Sequence, residues 1–237
     1  MPQHWEEQLA PDPKTTFQRN QLLRLLPPDD LALLDPYLER HRLEERDDFE
    51  RPNQSVRAVW FIEAGIASVV ARTPKGEKVE VGIIGCEGMT GQIVVMGDDR
   101  SPNECYMQVA GEGLCIPSGK LRAAMDESAT MRPLFMRFAQ TFTIQAAHTA
   151  LANARGKLEE RLARWLLMAH DRADGNDLHL THEFLGMMLA THRPGVTIAV
   201  QALERAGLIS ARRSSITILK RKALEKHSDG AYVPPEG

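Results

Sequence analysis

Residues 181–209 read THEFLGMMLATHRPGVTIAVQALERAGLI, two short apolar-periodic runs separated by a tight break. In the first run Thr181 stands where a cap belongs and Glu183 falls in the first turn. Phe184, Leu185, Met188 and Leu189 share one helical face there. The second run carries apolar Val196, Ile198, Ala199, Val200, Ala202 and Leu203 and ends at Gly207. It opens on His192, Arg193, Pro194 and Gly195, although Pro and Gly are the poorest helix formers. Upstream, DGNDLHL supplies a loop and one short strand. Downstream, SARRSSITILKRK predicts a hairpin with strands over 209–211 and 216–219 and a tip at 212–215. Two short helices with a tight turn, a strand before and a hairpin after, make a winged helix-turn-helix.

That assignment explains the odd helix start. A recognition helix enters the major groove N-terminus first, so its first turn must fit base edges and phosphates. Pro194 has no N–H to lose in a first turn and its φ suits helix initiation. Gly195 adds no side chain, which would let the backbone approach a duplex closely. Free N–H groups and the positive dipole end favour a phosphate. Arg193 can offer a bidentate fork to guanine. Thr197 and Gln201 follow at one and two turns, and Thr191 or His192 would cap.

Charge agrees with this placement. Residues 1–154 hold 16 Lys and Arg against 22 Asp and Glu, whereas 155–226 hold 13 against 8. Arg212, Arg213, Lys220, Arg221, Lys222 and Lys226 cluster late. An acidic front and a basic back suit a nucleic-acid-binding module joined to something else.

The front half has a different texture. Residues 1–16 are polar and read as a mobile tail; short helical patterns follow, broken at Pro27-Pro28 and Pro36, with Asp29 as an N-cap. SVRAVWFIEAGIASVVART, KVEVGII, CYMQVA and GLCIP are short strand patterns punctuated by Gly65, by the turn TPKGE, by the loop GCEGMTG, and by Gly111 and Gly113. This is an all-β roll, sandwich or barrel. SGKLRAAM is a short helix that Ser118 could cap, and a helix over 131–154 would extend roughly 35 Å. Phe135, Phe138 and Phe142 fall on it at coiled-coil spacing, which reads as a dimer seam.

Several classes have no support. Cys86, Cys105 and Cys115 are an odd number with no C-x-x-C pair, as expected of free thiols. His179, His182 and His192 lack companion ligands at metal spacing, so surface or capping roles are expected and no metal. DRADGND has the wrong acid spacing for a calcium loop. No signal peptide or membrane-length apolar run is present, so a cytoplasmic protein is expected. A cupin-type barrel enzyme would need histidine ligands, and residues 50–117 contain none; no enzyme motif stands out elsewhere.

These residues carry a resemblance. The stretch 181–209, with Leu185-Gly186 in its first helix, an Arg at the start of the second and an L-E-x-x-G-L-I ending, resembles the DNA-binding motif of the CRP/FNR family of bacterial transcription regulators. VWFIEAGIASVV is similar to that family's β-roll strands around a Gly, and KLEERLARWLL to the helix opening its DNA-binding domain. About 200 of the 237 residues are covered. The resemblance implies an α+β chain. Residues 1–130 would form a cyclic-nucleotide-binding-like β-roll, a double-stranded β-helix; 131–154 a dimerisation helix; 155–226 a winged helix-turn-helix; and 227–237 a tail. It also implies a homodimer on double-stranded DNA, RNA polymerase as a partner, a small-molecule effector and no membrane. DNA-facing residues would be Thr181, Thr191, His192, Arg193, Pro194, Gly195, Thr197 and Gln201, with Arg212, Arg213 and Ser214 at the wing. The alternative is a cyclic-nucleotide-like module acting through protein contacts alone.

The effector pocket, by the same resemblance, would use Gly88, Met89, Thr90, Gly91, Glu104 and Cys105. Cyclic-AMP-binding members carry a Gly-Glu pair and, further on, an Arg-Ser pair. Here Met89 follows Gly88, and Glu104-Cys105 stands at the second position, with Arg100-Ser101 four residues early. A carboxylate there repels a phosphate, which argues against a cyclic nucleotide. Iron–sulfur members use an N-terminal Cys group, and this chain has no Cys before Cys86, so no such cluster is expected. Pro194 and Ile198 replace the polar readers common in the family, implying a different operator.

Overall fold

The computed structural model describes residues 19–234. The polar segment 1–16 lies outside the described residues. The chain starts with helix α1 (Gln21–Arg24), α2 (Pro28–Leu34) and a 3-10 turn at Asp35–Tyr37. The expected break falls between α1 and α2, but Pro27 and not Asp29 is the N-cap of α2; Asp29 lies in the first turn, without a cap bond. Asn20 caps α1, its Oδ1 accepting from Leu23 N at 3.2 Å. Its amide donates to Ile62 O and Gly88 O at 2.9 and 2.7 Å, tying the N-terminus to the roll.

The roll contains β1 (Glu39–Leu43), β2 (Asp48–Glu50), β3 (Ala58–Arg72), β4 (Lys78–Ile84) and β5 (Glu104–Pro117). The sheet order is β1-β5-β3-β4, with β2 also on β5 and every pairing antiparallel. β1 and β2 escape a pattern reading because ERHRL and DFE are nearly all polar; pairing with β5 makes them strands. CYMQVA and GLCIP are one strand, since Gly111 and Gly113 bend the chain without ending it. Gly65 has φ +85°, and a Cβ there would lie 2.3 Å from Val109 O; a Cβ on Gly111 would lie 2.0 Å from Ala64 O. The register shifts at this crossing, curling both long strands so that each serves the two halves of the roll.

After the short α3 (Gln92–Val95), α4 (Ser118–Glu127) follows β5 directly. Ser118 does not cap it; its hydroxyl donates to Val56 O at 2.7 Å, and Pro117 holds the cap position. α5 (Met131–Arg155) is the expected long helix, but its phenylalanines do not form an outward seam. Phe135 is fully buried and packs on Phe61 of β3, ring centroids 5.7 Å apart. Phe138 is buried in the same core and Phe142 packs against it. The exposed positions include Met136, Thr143, Ile144, Ala147 and Leu151, which follow one row along the helix.

The C-terminal unit comprises α6 (Leu158–His170), β6 (Asp177–Leu178), α7 (His182–Met188), α8 (Arg193–Arg205), β7 (Ile209–Arg212), β8 (Ser215–Ile218) and α9 (Arg221–His227). The strands pair in the order β6-β8-β7, and the wing tip is the two residues Arg213 and Ser214, the latter at φ +58°. A second core under α6, α7 and α8 includes Ile66 and Ile83, so the unit packs on the roll. The expected tail is 227–237; of it, the described residues 228–234 return to α6: Ala231 O accepts from Arg164 Nε at 2.9 Å and the Tyr232 hydroxyl donates to Asp171 at 2.7 Å.

Candidate nucleic-acid interface

The first helix of the motif starts as expected, with Thr181 Oγ1 accepting from Phe184 N at 3.1 Å. Leu185, Met188 and Leu189 are buried, and Ala190 turns the chain at φ +44°. Thr191 N donates to Gly186 O at 2.9 Å, which closes the turn. His192 is the N-cap of α8, yet neither it nor Thr191 caps the helix with a side-chain bond.

Gly195 has an internal reason beyond any approach to DNA. A Cβ there would lie 2.8 Å from Thr191 Oγ1 and 3.1 Å from Leu158 Cδ2. The missing side chain lets α8 cross over α6. Val196, Ala199, Val200 and Leu203 are buried on the opposite side of α8 from solvent. Ile198, expected as part of that apolar face, is 65% exposed. It joins Pro194, Gln201 and Arg205 on one outward stripe at helical spacing, the side on which the family resemblance had put Pro194 and Ile198 in place of polar readers, although its apolar character alone had grouped it with the buried face. The signal was available: Ile198 lies two residues from Val196 and Val200, off their 3.6-residue stripe.

His192, Arg193, Pro194 and Gln201 are exposed at or near the start of α8. The Arg193 side chain has no hydrogen bond or ion pair among the described residues. Thr197 is less free, because its hydroxyl donates to Arg193 O at 3.1 Å and sits 3.2 Å from His182 Nδ1. Exposed Arg212, Arg213 and Ser214 flank the stripe at the wing, where Ala211 N donates to Glu204 Oε1 of α8 at 2.7 Å. Arg221, counted with the basic cluster, turns inward to Asp171 at 2.6 Å and Glu225 at 3.0 Å. Burial there lowers its pKa, but the bond and charge of Asp171, with Tyr232 and Glu225, outweigh burial and raise it. The outward charge is therefore narrower than the sequence suggests.

The residues expected around the effector loop belong to the roll core. Met89 and Thr90 are fully buried, Thr90 Oγ1 accepts from Trp60 N at 3.1 Å, and a Cβ on Gly88 would lie 2.3 Å from the Phe138 ring. Gly91 N donates to the buried Glu50 carboxylate at 2.7 Å. Glu104 is paired with Lys78 at 2.5 Å and Arg72 at 3.4 Å. Burial pushes the Cys105 thiol far up and that of Cys115 to about 12, so neither is a ready thiolate. Of the loop GCEGMTG, Glu87 alone lines a cleft between α1, α5 and α6. Among the described residues no group of three His, Cys, Asp or Glu is arranged to hold a metal ion, and no helix is long and apolar enough to cross a membrane.

The geometry of an exposed helix start beside a basic wing has known counterparts. Residues 160–227 match the family model of the Crp-like helix-turn-helix domain. A CRP/FNR-family transcriptional regulator from Eubacterium rectale has 18% identity and a TM-score of 0.68, over 88% of this chain and 98% of its own. A CRP-family transcriptional regulator from Thermus thermophilus has 18% identity and a TM-score of 0.67, covering 83% and 100%. FixK2 from Bradyrhizobium japonicum has 14% identity and a TM-score of 0.65, covering 80% and 96%. Comparison with curated proteins gives no match. A β-roll, a long helix and a Crp-like helix-turn-helix in this order give the chain the fold of the CRP/FNR transcriptional regulators.

Proposed function

We propose that the protein is a sequence-specific DNA-binding transcription regulator, acting as a homodimer on an inverted-repeat operator under control of a signal received by its N-terminal half. The observation that carries this reading is the outward stripe of α8, where Arg193 stands unpaired among the described residues at an open helix start with Ile198 and Gln201 behind it. Arg193 suits guanine or a phosphate, Gln201 suits adenine, and Ile198 suits a thymine methyl. Arg212 and Arg213 would hold the flanking backbone. The dimer reading is supported by the exposed row Met136, Thr143, Ile144, Ala147 and Leu151, an apolar edge on a helix whose other side is already core.

Titration with duplexes selected from a random pool tests this reading. The expected sites are inverted repeats with half-site centres about 34 Å apart. Binding should weaken with salt at a slope of about −0.9 per phosphate contacted. A chain that binds no duplex in a salt-dependent way would instead act through protein contacts.

A further inference from the structure

Arg164, on α6, is 5% exposed and has no ion pair among the described residues. Its guanidinium donates to two carbonyls, Gln145 O on α5 at 3.2 Å and Ala231 O of the C-terminal segment at 2.9 Å. Glu80, an acid whose charge it feels, is taken up by Ser68 at 2.5 Å and Trp165 Nε1 at 2.6 Å. A buried cation whose hydrogen-bond partners are all neutral, and whose acidic neighbour Glu80 is itself pushed toward its protonated form by burial, is unfavourable until an anion reaches it.

Such an anion has room. Arg164 lines a cleft of about 160 Å³ between α1, α5 and α6, walled by Phe138, Phe142 and Met168. His148 lines the same space, and its Nδ1 is buried without a hydrogen-bond partner. The other charges in the cleft cancel: Glu87 is held by Arg172 through Nε at 2.8 Å and Nη2 at 2.7 Å. One uncompensated positive charge in apolar walls matches a monoanion, whereas a phosphate dianion would call for more donors. An apolar cavity of about 150 Å³ accommodates benzene.

We propose that this cleft binds a small organic monocarboxylate with a flat apolar body, of benzoate size, with its charge on Arg164 and its ring among Phe138, Phe142 and Met168. The site deepens the regulatory reading above and rests on it for its consequence. Arg164 joins the long helix, the DNA-binding unit and the C-terminal segment, so a ligand there acts on the junction that orients α8.

Calorimetric titration of the full chain with benzoate, with benzamide as its neutral isostere and with inorganic phosphate tests the site. Benzoate is expected to bind once per chain, and the other two at least about tenfold more weakly. Arg164→Gln should weaken benzoate binding about tenfold or more while leaving benzamide unchanged. Thr141→Trp, from the half-buried wall on α5, should block both aromatic probes with unchanged thermal unfolding. The proposal is overturned by benzoate failing to bind at about 10 mM, by benzamide or phosphate binding as tightly, or by either variant binding benzoate like the parent chain. None of these readouts involves DNA. Loss of operator binding in the same preparation would therefore strike the proposed function and leave the ligand site standing.

Discussion

In the proposed reading, Arg193 and Ile198 would divide the work of reading DNA between a charge and an apolar surface. The Arg193 side chain has no partner among the described residues, so its removal leaves no buried group there unpaired and the loss should appear in DNA binding alone. Arg193→Ala is expected to lower specific affinity by ~1–3 kcal/mol and to relax preference at one base pair per half-site. Thermal unfolding should be unchanged. Fluorescence anisotropy on the selected operator and its single-base variants checks this, and an unaltered affinity would remove Arg193 from the interface. Gly195 differs in kind. Its fit against Thr191 and Leu158 is a packing requirement, so its presence in the motif is a statement about the fold before it is one about DNA. Thr197, bonded to Arg193 O and close to His182, holds the first turn in shape.

Among the helices and strands, α5 carries the most consequence. Its buried side, Leu134, Phe135 and Phe138, is taken up by the roll core, and the exposed row through Ile144 and Leu151 is the apolar one left to meet a second chain. Ile144→Glu should therefore turn a dimer into a monomer without unfolding the protein, and should weaken operator binding by at least about tenfold because the two half-sites are no longer joined. Sedimentation of the variant measures the mass directly; a dimer as tight as the parent's would place the interface elsewhere. The extent of α5 is plain from the sequence, because an unbroken run without glycine has few alternatives. Its facing is not. Phe135, Phe138 and Phe142 satisfy both a coiled-coil seam and a core stripe, and periodicity cannot distinguish two apolar surroundings. β5 shows the complementary case. Gly111 and Gly113 look like a break in the pattern, and only the crossing against Ala64 and Leu43 shows that they bend one strand.

Across the molecule as a whole, the roll and the DNA-binding unit meet at a buried acid. Glu80 of β4 accepts from the Trp165 indole of α6 at 2.6 Å and from Ser68 of β3 at 2.5 Å, and Trp165 packs edge-on against Phe184 of α7. Burial pushes the Glu80 carboxyl up to about 7; the bonds from Ser68 and Trp165, and the charges of Arg164 and Arg172, only partly offset it. A carboxyl raised in the folded state binds its proton more tightly there than in the unfolded chain. Its contribution to stability is therefore complete below pH 4.5 and is lost as pH rises through about 7. Glu80→Gln should remove that dependence: between those pH values the parent should lose roughly 3 kcal/mol relative to the variant. Denaturant unfolding of both at several pH values measures the difference. Parallel pH profiles would show that Glu80 does not titrate in this window.

The helix-turn-helix, its wing, the length of the long helix and the strand-rich front are all written in the order of the residues. Each depends on neighbours within a few positions: the Thr181 cap, the Pro194 start, the Gly207 end and the turn at Gly76. Packing in three dimensions was needed to establish which face of α5 is core and that polar β1 and β2 are strands. It also turned Arg221 inward and buried Arg164 beside a cleft. These outcomes come from contacts between residues dozens of positions apart. Local propensity and periodicity specify which side chains are apolar or charged, but the surface each one meets is chosen by the packing of the whole chain.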